Sequence, residues 1–123
     1  MLIGELSKLT GATPRAIRLY ETLKLLQVNR HGKYRVYDKS HVEFVQLIKE
    51  AQSLGLSLAE LQQLKLGVQD LDWVALNQLL AQKQAAIAQQ IIQQQAELER
   101  IKHYQHLIAA CVAKGLRQCE PNN

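Results

Sequence analysis

The stretch IGELSKLTGATPRAIRLYE, residues 3–21, decides the fold of this 123-residue chain. Apolar side chains recur at helical spacing in its first half, which predicts a short helix that ends at Gly11. A second helix is predicted to start at Pro14, because its ring fixes φ and the Thr13 hydroxyl can cap free backbone amides. The sequence therefore predicts two short helices joined by a glycine turn.

The second helix has two different faces. Ile17 and Tyr20 can pack inward, whereas Arg15 and Arg18, three residues apart, share the outward face. A cationic outer face on the second of two short helices is typical of a helix-turn-helix. Arg15 and Arg18 are the best candidates for contacts with base edges, since arginine can bind guanine through two hydrogen bonds.

A basic hairpin is predicted directly after these helices. Short β-prone runs at residues 28–30 and 34–37 flank a loop that contains Gly32. A helix-turn-helix followed by such a hairpin is a winged helix. Side chains in the hairpin and the second helix are expected to hold phosphates and to set the register on DNA: Thr13, Tyr20, Arg30, Lys33, Arg35 and Tyr37. Tyr20 also fits a core position with its hydroxyl at the rim.

These motifs resemble those of the MerR (mercury-resistance-regulator) family of bacterial transcription factors. The matching runs are residues 3–11, 13–21, 25–26, 34–37 and 53–61. The resemblance implies a mainly α fold, with a winged helix-turn-helix DNA-binding domain at residues 1–69 followed by a long C-terminal dimerisation helix, a coiled coil. It also implies a homodimer that binds a palindromic promoter and, in response to an effector, bends and untwists that DNA so that RNA polymerase can engage.

Two positions depart from the family pattern. The family usually has glycine where Lys24 stands, and often an aromatic residue at Leu19. Lys24 is therefore expected in a left-handed backbone conformation, at a cost of roughly 1 kcal/mol.

Charge and composition favour a cytoplasmic DNA-binding protein. The formal net charge is +4, and residues 1–50 alone hold nine Lys and Arg against five Asp and Glu, which accounts for all of it. A basic excess confined to the predicted DNA-binding end suits a phosphate backbone. Aromatic residues make up only 5% of the chain, which favours a helical fold. No apolar run approaches the roughly 18 residues of a membrane span, and the N-terminus does not have the pattern of a signal peptide.

Two capping-box spacings after the hairpin predict two further helices. The first opens at Ser40 and ends near Gly55, and the second opens at Ser57 and ends at Gly67. The family resemblance makes this helix pair a second wing that touches the DNA backbone, whereas the residues alone predict a helical hairpin that completes the core.

A long helix is predicted from a cap at Asp72, because no Pro or Gly follows until Gly115. It would be about 60 Å long at about 1.5 Å per residue, too long to fold back on so small a domain. Apolar residues and three glutamines follow the 4-3 alternation of a coiled-coil seam: Leu80, Gln84, Ile87, Ile91, Gln94, Leu98, Ile101, Gln105 and Ile108. Residues 70–113 are therefore assigned as the dimerisation helix and residues 114–123 as a short tail. The sequence leaves parallel and antiparallel pairing open, and the resemblance implies the antiparallel arrangement.

The two cysteines of the chain, Cys111 and Cys119, are separated by seven residues. Without a secretory signal, both are expected to be reduced thiols. The interpretation favoured here is one buried helix cysteine and one tail thiol, because two cysteines at this spacing are a weak motif.

Two other roles are open for this pair. In metal-sensing members of the family, two cysteines at a similar separation flank a loop after the dimerisation helix. The resemblance therefore makes Cys111 and Cys119 effector candidates for a soft metal ion, Cu(I), or Zn(II) with further ligands. His103 and His106, one helical turn apart, are nearby imidazoles that could add to such a site. The remaining role is a redox pair.

Two other functions fit parts of the sequence pattern. Winged helices of this type also serve as recombination directionality or DNA-architectural factors, which a footprint outside promoter elements would reveal. The second alternative function is that of a coiled-coil interaction protein whose basic face is incidental. A duplex-binding assay distinguishes such a protein from a DNA-binding protein. The sequence contains no nucleophile–base arrangement, phosphate loop or catalytic metal motif, so an enzyme is the least expected class.

Overall fold

The computed structural model describes residues 1–115 and 118–119, which form five helices and two small hairpins. In chain order the elements are α1 (Ile3–Thr10), α2 (Pro14–Thr22), β1 (Asn29–His31), β2 (Tyr34–Val36), α3 (Lys39–Ser53), α4 (Leu58–Gln63), β3 (Lys65–Leu66), β4 (Asp70–Leu71) and α5 (Trp73–Ala113). The chain divides into a first unit, Met1–Gln78, and a second that begins at Leu79. The first unit holds the winged helix-turn-helix, which confirms the predicted fold class. Its core is built around fully buried side chains: Leu6, Ile17, Leu25, Tyr37, His41, Val45, Ile48, Leu61 and Leu71.

The turn between α1 and α2 forms as the sequence predicts. Gly11 has a φ of 77°, and its N–H donates to the Ser7 carbonyl at 2.8 Å, which closes α1. The Thr13 hydroxyl accepts a hydrogen bond from the Ala16 N–H at 3.1 Å, and Pro14 is the first residue of α2. Local sequence therefore determines where both helices end.

The wing is an antiparallel hairpin of two short strands, in which Arg30 lies directly opposite Arg35. Gly32 and Lys33 form the two-residue turn, and Gly32 has a φ of 63°. Lys24, in the connection that leads from α2 to the wing, has a φ of 61°. This is the left-handed conformation that was predicted for Lys24.

The cap of α3 differs from the prediction. Asp38, rather than Ser40, is the N-cap residue, and the Asp38 carboxylate accepts hydrogen bonds from the Ser40 N–H at 2.9 Å and the Ser40 hydroxyl at 2.6 Å. The Asp38 N–H donates to His41 Nδ1 at 3.0 Å, and His41 Nε2 donates to the Gln27 carbonyl at 2.7 Å. The Ser40 prediction fails because Asp38 offers a charged acceptor two residues earlier. Through these hydrogen bonds, His41 connects the start of α3 to Gln27, which precedes the wing.

The second predicted capping box is confirmed, but α4 is shorter than expected. The Ser57 hydroxyl accepts from the Glu60 N–H at 3.0 Å, and the Ser57 N–H donates to Glu60 Oε1 at 2.9 Å. The helix ends at Gln63, and Gly67 lies instead in the loop of the β3–β4 hairpin. The Asp72 N–H closes this hairpin by donating to the Leu64 carbonyl at 2.7 Å.

The predicted long helix is confirmed as α5, which continues without interruption through 41 residues. The Asp72 carboxylate caps it by accepting a hydrogen bond from the Ala75 N–H at 3.1 Å. Apolar residues of the predicted seam are exposed in the single chain, with Ile91 54% and Ile101 58% exposed. None of the described helices combines the length and the apolar character that a membrane crossing requires.

Candidate nucleic-acid interface

The outward face of α2 presents two arginines to solvent. Arg15 and Arg18 are both exposed, whereas Ile17 between them is fully buried. The helical period therefore directs both guanidinium groups away from the core. Such a group can donate two parallel hydrogen bonds to guanine O6 and N7 or to a phosphate. Thr13 is also exposed, at the start of the same helix.

Tyr20, for which two roles were predicted, belongs to the core. Its side chain is only 4% exposed, and its hydroxyl donates to Gln52 Oε1 of α3 at 3.0 Å. Burial raises the pKa of Tyr20 above its ordinary value of 10.0. The phenol is therefore neutral near neutral pH, and its hydroxyl links α2 to α3.

Glu21, in the last turn of α2, pairs with two arginines of the wing. Its Oε2 accepts from Arg35 Nε at 2.7 Å, and its Oε1 lies 3.4 Å from Arg30 Nη2. The hydrogen bond and the charge of Glu21 raise the pKa of Arg35 further. No role was predicted for Glu21. A signal was present, because Glu21 is the sole acid among residues 12–37, which hold six Lys and Arg.

The wing carries one exposed tyrosine, Tyr34, and is followed by a buried one, Tyr37. Tyr37 is 2% exposed, and its ring stands edge-on to the His41 ring at a centroid distance of 5.4 Å. The prediction that Tyr37 contacts phosphate is therefore corrected: the side chain completes the core. Tyr34 is 60% exposed and takes the surface position of the wing.

Cations from α2 and from the wing converge around Tyr37. Burial raises the pKa of the Tyr37 phenol, as does the charge of Glu21, while the charges of Arg35, Arg18 and Arg30 lower it. The charges of α2 and of the wing thus both act on this buried phenol. Lys33 is exposed at the wing turn. We call Thr13, Arg15, Arg18, Arg30, Lys33 and Arg35 the basic surface.

The second unit brings the two cysteines together. Cys111 lies in the last turn of α5, and the backbone of Gly115 at φ 79° turns the chain after that helix. Cys111 and Cys119 form a disulfide with a Cα–Cα distance of 6.0 Å, within the range usual for disulfides. The favoured expectation of two thiols with separate roles is therefore wrong, because Cys119 is bonded to Cys111 at the end of α5.

The predicted histidine ligands do not join this pair. His103 and His106 are exposed on α5. Among residues 1–115 and 118–119, no three or more His, Cys, Asp or Glu side chains gather as a metal-binding group. Reduction of the disulfide would give two thiolate ligands, and the described part of the chain places no third ligand beside them.

Comparison with known proteins places this fold and surface in a family. Residues 1–67 match the family described as MerR HTH family regulatory protein. The chain is 38% identical over 66 residues to the HTH-type transcriptional regulator CueR of Yersinia pestis, a match over 52% of this chain and 48% of that protein. The chain thus spans about half the length of this relative.

Longer similarities include the second unit. A probable heavy metal-dependent transcriptional regulator of Haemophilus influenzae is 33% identical over 109 residues, which cover 85% of this chain and 84% of that protein. The crystal structure of the transcription regulator PbrR691 from Ralstonia metallidurans CH34 in complex with lead(II) has 25% sequence identity and a TM-score of 0.59, with 81% of each chain covered. The chain belongs to the MerR family of helix-turn-helix regulatory proteins.

Proposed function

We propose that this protein is a homodimeric transcriptional regulator that binds a palindromic promoter sequence. The observation that carries the proposal is the pair of exposed arginines on the outward face of α2, Arg15 and Arg18, followed along the chain by the cationic wing. Arg15 and Arg18 read base edges, because a helix that enters the major groove presents its outward side chains there. Arg30, Lys33 and Arg35 hold the phosphate backbone and set the register.

The exposed seam of α5 supports the dimer. Ile87, Ile91 and Ile101 are half or more exposed in the single chain and recur at coiled-coil spacing. Burial of this stripe against a second α5 removes the apolar surface from water. Two recognition helices related by a two-fold axis then read half-sites about 34 Å apart, as a palindrome requires.

Regulation follows from deformation of the DNA. Contacts to the backbone from α2, from the wing and from the α3–α4 pair supply free energy that offsets the cost of bending and untwisting the duplex. In this mechanism an effector shifts the dimer between two arrangements, and the distorted promoter lets RNA polymerase engage both of its elements. Action at a promoter places the protein in the cytoplasm of a bacterium.

In vitro selection from a pool of random duplexes tests the proposal. We expect the wild-type chain to enrich a palindrome, and binding to the selected duplex to weaken steeply as salt is raised. The double variant Arg15→Ala, Arg18→Ala serves as the control and should enrich no consensus. If the wild-type chain enriches no sequence above random competitor, a coiled-coil interaction protein becomes the better description. A footprint away from promoter elements would favour an architectural factor.

The Cys111–Cys119 pair is the proposed effector site. In the reduced state two adjacent thiolates suit a soft ion, and a chain that supplies two sulfurs matches a two-coordinate Cu(I) site. Zn(II) prefers four ligands, so this pair would need two more from outside the described residues. Metal sensing is also supported by the heavy metal-dependent relative and by the lead(II) complex of PbrR691.

A thiol–disulfide response is the second candidate for the effector signal, and the disulfide itself favours it. Oxidation removes both thiolates and thus both metal ligands, so the two signals exclude one another at the same pair of sulfur atoms.

A further inference from the structure

Glu21 is a carboxylate on a surface that otherwise carries only cations. It is the sole acid among residues 12–37, against six Lys and Arg. A negative charge near a phosphate backbone opposes binding unless cations neutralise it. Glu21 meets this condition, because both of its oxygens face guanidinium groups of the wing, at 2.7 Å from Arg35 and 3.4 Å from Arg30.

We propose that Glu21 is a positioning residue for DNA recognition, which fixes the orientation of the wing relative to the recognition helix α2. The proposal rests on the DNA-binding function proposed above. Glu21 belongs to the helix that reads bases, whereas its two partners belong to the strands that hold phosphates. The ion pairs therefore join the two parts of the interface that must bind DNA at the same time.

The wing needs such an anchor because it has little core of its own. All three residues of β1 are exposed, and each strand is only three residues long. Arg30 and Arg35 are also directly opposite each other in the hairpin. Like charges at directly opposite positions destabilise strand pairing. The Glu21 carboxylate offsets this repulsion by contacting both cations.

The contacts also orient the arginine side chains. Arg35 donates to Glu21 through Nε, which leaves its two terminal NH2 groups free of that contact. Because a guanidinium group is planar, a held Nε fixes the plane in which the terminal groups point. Arg30 is held more loosely at 3.4 Å, and its side chain is 48% exposed against 33% for Arg35. Arg35 is therefore held more firmly than Arg30 and contributes more to the positioning of the wing.

Glu21→Gln, with Glu43→Gln as its matched control, separates positioning from charge. Each variant removes one negative charge, but Glu43 lies on α3, where it pairs at 4.0 Å with Lys39. We would measure affinity for the duplex that the wild-type chain selects and for a scrambled duplex of equal length and composition, over a series of salt concentrations. For Glu21→Gln we expect tighter binding to the scrambled duplex, a salt slope steeper by about one, and a specificity ratio lower by about tenfold.

The control and a second variant define the outcomes. Glu43→Gln should leave the ratio of selected to scrambled affinity unchanged. If Glu21→Gln also leaves it unchanged or raises it, Glu21 only neutralises charge and the inference is overturned. Arg35→Lys keeps the net charge but loses the planar donor, so it should lower the ratio even if Glu21→Gln does not fold. An unchanged ratio in Arg35→Lys also overturns the inference. Failure of the wild-type chain to select any duplex would instead refute the proposed function.

Discussion

The Tyr20 hydroxyl donates to Gln52 Oε1 at 3.0 Å, and this hydrogen bond joins α2 to α3. Because the phenol is buried, we expect Tyr20→Phe to lower the free energy of unfolding by about 1 kcal/mol and to leave affinity for the selected duplex unchanged. Tyr34→Phe is the matched control, since Tyr34 is exposed on the wing. It should leave stability unchanged. Urea unfolding and a duplex titration check both, and a loss of affinity in Tyr20→Phe would restore its predicted contact with phosphate.

Arg18 and Lys33 should contribute to binding in different ways. Arg18→Ala is expected to lose about 1–3 kcal/mol of discrimination between the selected and scrambled duplexes, because it removes a contact to base edges. Lys33→Ala is expected to weaken binding to both duplexes alike and to reduce the salt slope by about one. Fluorescence anisotropy on the two duplexes measures these quantities. If Arg18→Ala keeps both affinity and selectivity, the assignment of α2 as the recognition helix is wrong.

The seam of α5 can be tested with two neighbouring isoleucines. Ile91 lies on the predicted seam and is 54% exposed, while Ile92 lies off it and is 63% exposed. We expect Ile91→Asp to be monomeric at micromolar concentration, since a charge within a coiled-coil seam is left unpaired and desolvated. Ile92→Asp should remain a dimer. Sedimentation velocity distinguishes the two, and a dimeric Ile91→Asp would contradict the assigned seam.

Metal binding by the cysteine pair should depend on its oxidation state. Reduced wild-type chain should bind Cu(I) through the two sulfurs, and the oxidised chain should bind none. Cys111→Ser and Cys119→Ser should each abolish this binding without changing the fold of the DNA-binding unit. Anaerobic titration with Cu(I) and with Zn(II), followed by measurement of operator occupancy, checks the proposal. If no metal binds to the reduced chain and its oxidation leaves operator occupancy unchanged, neither effector role holds.

The Asp38 carboxylate should make the stability of the protein depend on pH in the acid range. The hydrogen bond from the Ser40 hydroxyl holds the pKa of the Asp38 carboxyl below its ordinary value of 3.8. A carboxyl with a lowered pKa in the folded state contributes stability that is present above pH 3.8 and is lost as the pH falls through the folded pKa. The Tm difference between wild type and Asp38→Asn should therefore be constant at neutral pH and shrink on acidification. A difference that is independent of pH would contradict this assignment.

Local sequence determined much of this fold, and contacts distant in sequence account for what it missed. The turn at Gly11 and the outward arginines of α2 follow from backbone preference and helical period, whereas the left-handed Lys24 was predicted from the glycine that the family usually has at that position. The burial of Tyr37 does not, because three-residue strands are too short for alternation to show which side chain faces inward. The pairing of Glu21 with Arg35 likewise spans fourteen residues and leaves no periodic signal.

The second unit likewise has one feature that local sequence predicts and one that it does not. The uninterrupted α5 could be predicted because no helix breaker occurs before Gly115. The Cys111–Cys119 disulfide could not, because it depends on the direction in which the chain leaves the helix.

The shape of the wing also determines which of its parts can vary. The contacts with Glu21 hold the strands at their middle pair, whereas Gly32 and Lys33 at the tip are exposed. A longer tip would extend the hairpin by about 3.3 Å for each residue added to a strand, without disturbing those contacts. Homologues could therefore contact DNA farther from the domain by exchanging this turn alone, while the rest of the first unit stays unaltered.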